Sequence, residues 1–212
     1  RKLSVEEFAY WAGLVQGEGL REYCENFRRR MFDTSSAIFW MYNDTWPATR
    51  SWTIADYYLR RTPAFYGVRR ALRPVHVVLT LEGDAVNVYG VNETEREVRG
   101  TLSYGVFKLA GAYPFEARAD VALPPNASTV IASFPAAKWT AREASMAFAE
   151  LAGNDRLIAR NRLFTPLFRE MKWPKARVSV RLEKGEAVFS SRTFAWGICL
   201  DLDGEALLPD NF

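Results

Sequence analysis

From Val75 to Phe134 five runs rich in β-branched and aromatic residues follow one another at near-regular spacing. They are Val75 to Leu81, Ala85 to Val91, Gly100 to Leu109, Phe115 to Leu123 and Ser128 to Phe134. Turn-forming residues separate them: Gly83-Asp84, Asn92-Glu93, Gly111 and Pro124-Pro125-Asn126. Short strands at this spacing predict a β-sandwich. Met146 to Leu151 and Leu157 to Phe164, joined by Gly153-Asn154-Asp155, predict its last hairpin, so residues 75–165 read as one immunoglobulin-like domain. Pro166 to Pro174 reads as a linker. Beyond it Arg177 to Leu182, Glu186 to Ser191 and Ala195 to Leu202 form a shorter strand series, with Lys184-Gly185 as a turn. So few strands bury little core by themselves, and residues 175–212 are expected to be a second, incomplete β-sandwich.

The first 74 residues differ in kind. Ser4-Val5-Glu6-Glu7 is a capping box, in which hydroxyl and carboxylate each satisfy an unpaired backbone N–H. Phe8, Trp11, Val15, Gly19, Tyr23, Phe27 and Met31 recur every three or four residues, predicting a helix with that stripe buried. Gly13, Gly17 and Gly19 weaken a helix by ~1 kcal/mol each and point to close backbone approach. Asp33-Thr34-Ser35 leads into a short buried strand at Ser36-Ala37-Ile38-Phe39, and Pro63 opens a helix that Pro74 stops. Helix, strand, loop, helix is the order of the last β/α portion of a TIM barrel. The expected class is therefore mainly β with N-terminal helices: barrel portion 1–74, sandwich 75–165, second small sandwich 175–212.

Composition removes several functions. Lys and Arg number 28 against 25 Asp and Glu, with Arg28-Arg29-Arg30, Arg60-Arg61 and Arg69-Arg70 clustered. No nucleic-acid reading module accompanies them, and solvated helix ends account for them. Cys24 and Cys199 read as small buried hydrophobes, and His76, the lone histidine, rules out a His triad or multi-His metal site within the chain. No metal and no cofactor is expected. No apolar run approaches the ~20 residues that span a bilayer, and no signal-peptide layout opens the chain. A soluble, cytoplasmic chain is favoured over a secreted one, and the sequons at Asn43, Asn92 and Asn126 read as chance matches.

Chemistry concentrates in Trp40-Met41-Tyr42-Asn43-Asp44-Thr45-Trp46-Pro47. Aromatic rings offer flat apolar faces, and the amide and carboxylate offer directional hydrogen bonds. A sugar needs both, being apolar on its faces and hydroxylated at its edges. Trp40 and Trp46 serve either a pocket or a core, and Asp44 either touches substrate or anchors the loop. Asp56 reads as a loop or cap residue, and Glu18 as half of a buried salt bridge.

The same run, with Leu14-Val15-Gln16-Gly17-Glu18-Gly19-Leu20, Ser51-Trp52-Thr53-Ile54-Ala55-Asp56-Tyr57-Tyr58 and Ala71-Leu72-Arg73-Pro74, resembles glycoside hydrolase family 2, nearest its β-mannosidase and exo-β-glucosaminidase branches. Phe194 to Asp203 and Pro209-Asp210-Asn211-Phe212 are similar to the family's closing sandwich. Leu59 departs from the pattern, standing where a glycine often follows the Asp-Tyr-Tyr run. The resemblance implies a retaining exo-β-glycosidase with a central barrel and flanking sandwiches. Retaining hydrolysis needs two carboxyl groups about 5–5.5 Å apart. By the resemblance both come from earlier barrel strands, at positions ahead of Arg1, so no catalytic residue is assigned here. Trp40 would be the aromatic floor under the sugar, with Asn43, Asp44 and Trp46 shaping the pocket. The implied partners are a β-mannoside or related glycoside and the rest of the barrel or a complementary fragment, with no nucleic acid and no membrane. The competing expectation is a non-catalytic carbohydrate-binding or scaffold module, which needs exposed rings on the sandwich at Trp139, Trp173 and Trp196.

Overall fold

A computed structural model describes residues 2–48, 52–201 and 204–205. The chain divides into two compact units, Pro74–Trp196 and a second that joins the residues before Pro74 to those from Gly197 onward.

In the first unit two antiparallel sheets face each other. Strands β1 (Val75–Glu82), β2 (Ala85–Asn92) and β5 (Ala127–Pro135) form one, in the order β1-β2-β5. Strands β3 (Val98–Lys108), β4 (Ala112–Leu123), β6 (Ser145–Gly153) and β7 (Arg156–Leu163) form the other, in the order β4-β3-β6-β7. Alternation puts Val77 and Leu79, Val86 and Val88, Leu102 and Val106, and Ala147, Ala149 and Leu151 into one shared core, each large aliphatic side chain contributing about 1.5–3 kcal/mol. The β6–β7 turn has Asn154 and Asp155 at positive φ, the conformation a two-residue hairpin requires.

Asn92, wholly buried at the end of β2, ties two loops to each other. Its Nδ2 donates to the carbonyls of Arg96, Leu123 and Pro124 (2.8, 3.0 and 3.1 Å), and its Oδ1 accepts from the N–H and hydroxyl of Thr94. Its sequon is therefore spent on structure.

The expected linker is packed against the sheets. Met171, Phe164 and Leu109 are buried together, with Phe168, Trp173 and Phe194 around them, and the Lys172 N–H donates to Glu143 O at 2.6 Å. Apolar side chains in that segment explain why it docks. Beyond it the described residues form one hairpin, β8 (Ser179–Glu183) and β9 (Glu186–Ser190). Val180 pairs with Phe189 and Leu182 with Ala187 along one apolar side. The strand expected from Ala195 does not form over the described residues 195–201. Gly197 turns there at φ +75°. Pro209 to Phe212 lie outside the described residues.

In the other unit α1 (Val5–Arg28) begins at the expected capping box, with both Ser4–Glu7 bonds at 3.1 Å. Its burial reverses the expected stripe. Phe8, Trp11, Val15 and Tyr23 are exposed, whereas Gly13, Leu14, Gly17, Glu18, Arg21, Cys24, Glu25 and Arg28 are buried. The glycines decide this by letting α2 (Pro63–Ala71) come very close. A Cβ on Gly67 would lie 2.9 Å from Gly17 O, and one on Gly17 3.1 Å from Ala64 Cα.

Charge on the buried face is paired. Arg21 bonds Glu18 at 2.9 Å and Glu25 at 2.7 Å. Burial opposes the Arg21 cation, but Glu25, Glu18 and Glu22 outweigh it and raise its pKa. Arg28 donates to the carbonyls of Ala71 and Arg73, satisfying acceptors that the end of α2 leaves open. The strand expected at residues 36–39 does not form: no described strand lies beside it to complete a ladder, and Ile38 is exposed. The TIM-barrel arrangement is thus not shown in this chain. Among the described residues no helix is long and apolar enough to cross a membrane.

Asn92→Ala is expected to cost about 2–4 kcal/mol, because it strands several buried carbonyls and an N–H at once; urea unfolding followed by circular dichroism measures it. Tyr10, which donates to Gly197 O, has its pKa pushed up to about 12 by burial and then by the Cys199 thiol. The raised value means that its neutral form stabilises the fold below the ordinary ~10 and that this contribution is lost as pH rises through about 12. An absorbance titration is expected to show a late-ionising tyrosine component that is missing in Tyr10→Phe.

Candidate functional site

The loop from Trp40 to Pro47 is held from one side by the segment before α2. Ile54 and Ala55 both direct their N–H groups to Tyr42 O, at 3.1 and 2.8 Å. Asn43 and Ala55 form a parallel bridge, and Ala55 and Arg61 an antiparallel one. Ile54 and Ala55 are buried, Ile54 beside Ala64 and Val68 of α2. Arg61 N–H in turn donates to Gly204 O at 2.8 Å. A helix face therefore carries a small set of extended segments, and these carry the loop.

On that support the four expected residues separate into two kinds. Trp40 and Trp46 are 75% and 66% exposed, so neither ring belongs to a core. Asn43 is exposed and its Nδ2 donates to Asp44 O at 3.1 Å. Asp44 is half-buried, and its Oδ2 accepts the Thr53 hydroxyl at 2.8 Å. Tyr42, Trp52, Tyr57, Tyr58 and Leu59 of the same loop and the segment before α2 are exposed as well. Such an area of ring faces beside a carboxylate and an amide has the mixed character of a binding surface.

Asp56 is the clasp of the neighbouring turn. Its Oδ1 accepts the N–H groups of Tyr58 and Arg60, both at 2.9 Å, and its Oδ2 meets the Arg60 guanidinium at 2.6 Å. The Arg60 guanidinium also lies 5.1 Å from the centre of the Tyr58 ring. Thr62, not Asp56, occupies the N-cap position of α2. Leu59 has φ +61°, a left-handed conformation that costs a branched residue about 1–2 kcal/mol and glycine nothing. A cleft of about 470 Å³ opens here, lined by Tyr58, Leu59, Arg60 and Glu205.

Thr53 and Gln16 were not singled out by their sequence. Nine residues separate Thr53 from Asp44, and no local rule joins them. Asp56 did carry a signal, since Asp followed two residues later by a free N–H makes an Asx-turn. Among the described residues no three His, Cys, Asp or Glu side chains converge as metal ligands. Glu18 is half of a buried ion pair, as expected.

The rings required by the competing reading are engaged elsewhere. Trp139 is buried in the sandwich, with its indole N–H on the Ser145 hydroxyl at 3.0 Å. Trp173 and Trp196 are half-buried and stack on each other at 5.2 Å, with Phe168 4.9 Å from Trp196.

Residues 84–169 match the family model of the mannosidase Ig/CBM-like domain. Beta-mannosidase B of Aspergillus flavus is 41% identical over 76 residues, which is 34% of this chain and 9% of that protein. Beta-mannosidase B of Aspergillus clavatus is 29% identical over 144 residues, 59% of this chain and 17% of that protein. The crystal structure of beta-D-mannosidase from Dictyoglomus thermophilum superposes with a TM-score of 0.82 at 26% identity, covering 91% of this chain and 24% of that one. The exo-chitosanase CsxA of Amycolatopsis orientalis shares the fold, with a TM-score of 0.57 at 19% identity over 93% of this chain and 22% of its own. The chain thus spans less than a quarter of the length of each of these proteins.

Asp56→Ala is expected to release the Tyr57–Arg60 turn, because the charge-assisted bonds it removes contribute about 1.5–3 kcal/mol. Amide hydrogen exchange at Tyr58 and Arg60 checks it, with protection falling about tenfold or more.

Proposed function

The chain resembles the C-terminal part of a glycoside hydrolase family 2 enzyme of the β-mannosidase and exo-β-glucosaminidase kind, and we propose that it supplies one wall of the glycone pocket of a retaining exo-β-glycosidase acting on terminal β-linked sugars. The observation that carries this reading is the pairing of exposed Trp40 and Trp46 with Asn43 and Asp44 on one supported loop. A tryptophan face covers the apolar side of a pyranose, while amide and carboxylate reach the hydroxyls at its edge. Neither ring is needed by the core, so their exposure is explained by what they meet. Residues 1–74 would be the last β/α portion of the barrel, where loops after strands carry the reactive groups. A preceding barrel strand beside residues 36–39 would complete their ladder, and the exposed face of Phe8, Trp11 and Val15 would pack on the rest of the barrel. Residues 75–165 would be its immunoglobulin-like sandwich, and the β8–β9 hairpin the start of a second one in residues 175–212.

Parent chemistry would be double displacement through a glycosyl-enzyme intermediate, one carboxyl group as nucleophile and the other as acid and then base. No carboxylate pair of the chain is assigned those roles. Asp44 is committed to Thr53, and Asp56 to its turn and Arg60. The sandwich-only reading asks for exposed rings, whereas Trp139 is buried and the half-buried Trp173 and Trp196 stack on each other.

Titrating the chain with mannose, followed by the indole N–H signals of Trp40 and Trp46, is expected to show saturable shifts at millimolar sugar. Trp40→Ala is expected to weaken binding about tenfold or more, the loss of a large apolar contact. Absence of shifts at both indoles would overturn the assignment. An activated aryl β-mannoside is expected not to be turned over by this chain alone; turnover abolished by replacing a carboxylate within it would overturn the claim that the pair lies elsewhere.

A further inference from the structure

Asp44 stands on an exposed loop, where a carboxylate would ordinarily sample several rotamers and lose that freedom on binding a ligand. The structure places a donor behind it. Thr53 is only 2% exposed, so no water competes for its hydroxyl, which donates to Asp44 Oδ2 at 2.8 Å. The backbone that carries Thr53 is itself held by helix α1. Gln16 Nε2 donates to the carbonyls of Trp52 and Thr53, and Gln16 precedes Gly17, the residue that lets α1 and α2 meet.

We infer that Thr53, held in place by Gln16, is the positioning residue that presents Asp44 to a sugar hydroxyl. This rests on the glycone-wall reading and deepens it. The hydroxyl occupies Oδ2, whereas Oδ1 accepts no hydrogen bond from any described residue and is the oxygen left for substrate. A carboxylate with one oxygen tied from behind offers the other in a single direction. That selects among hydroxyl orientations on a ring stacked against Trp40. The support runs from a rigid helix pair to the loop, the arrangement that holds a binding group to a fraction of an ångström.

The test compares Thr53→Val, which keeps the shape and removes the donor, with Thr53→Ser, which keeps the donor, in the full 212-residue chain. Mannose affinity is expected to fall about tenfold in Thr53→Val and to stay within about twofold in Thr53→Ser. Wild-type binding with unchanged Thr53→Val affinity would overturn the positioning role and leave the glycone wall standing. Equal losses in valine and serine variants would overturn it as well, reducing Thr53 to packing. Failure of the wild type to bind mannose would instead overturn the glycone wall. The positioning of Asp44 is then decided by backbone order parameters at residues 43–45, expected to fall from about 0.85 toward 0.6 in Thr53→Val and to hold in Thr53→Ser. Unchanged order in Thr53→Val would overturn it. If Thr53→Val does not fold, Gln16→Ala replaces it in both measurements, with the same direction expected and the same unchanged result overturning the inference.

Discussion

The near-contact between Gly17 on α1 and Ala64 and Gly67 on α2 sets everything that follows in the unit carrying the candidate site. Two helices approach this closely only where side chains vanish from the seam, so the neighbouring positions must fill it from the flanks. Leu14 and Cys24 do so with apolar atoms, Glu18, Arg21 and Glu25 with paired charge, and Arg28 by donating to backbone carbonyls. A buried ion pair gains little net stability against a well-packed apolar substitute. Breaking one member, however, leaves an uncompensated charge; these pairs lie within α1, and Arg28, donating to the carbonyls of Ala71 and Arg73, fixes its register on α2. From that register follow the placement of Gln16, of the Thr53 backbone and of the loop above it.

The sandwich obeys a simpler economy. Its strands alternate, its core is aliphatic, and hydrophobic burial outweighs the ordering of its backbone. The exceptions are single polar residues that join loops to sheets. Asn92 binds three carbonyls, and Asn161 Nδ2 donates to Val77 O at 2.8 Å. Each makes a connection that no aliphatic residue can make. Aromatic rings pack on one another near Trp173, so their faces largely meet each other.

Much of this was legible in the chain. The seven strands of the sandwich, the capping box of α1 and the close approach signalled by Gly13 and Gly17 all rest on local rules of period and turn chemistry. The failures share one cause. The stripe Phe8–Trp11–Val15 satisfies helical periodicity, yet periodicity states only that a face is apolar and not what covers it. Residues 36–39 have strand composition, but a strand exists only where a neighbour supplies its hydrogen bonds. Residues 195–201 have it too, but Gly197 turns the chain away.

The candidate site divides along the same line. Sequence alone determined that two tryptophans, an amide and a carboxylate, Trp40, Trp46, Asn43 and Asp44, lie within one short run. It also placed that run between helices and ahead of a sandwich, since turn and helix signals are local. Only tertiary structure decided that both tryptophans face outward, that Asp44 leans on Thr53, and that Gln16 holds the Thr53 backbone. Those facts depend on contacts between segments nine, thirty-six or more residues apart, and no periodicity along the chain encodes which distant partners meet.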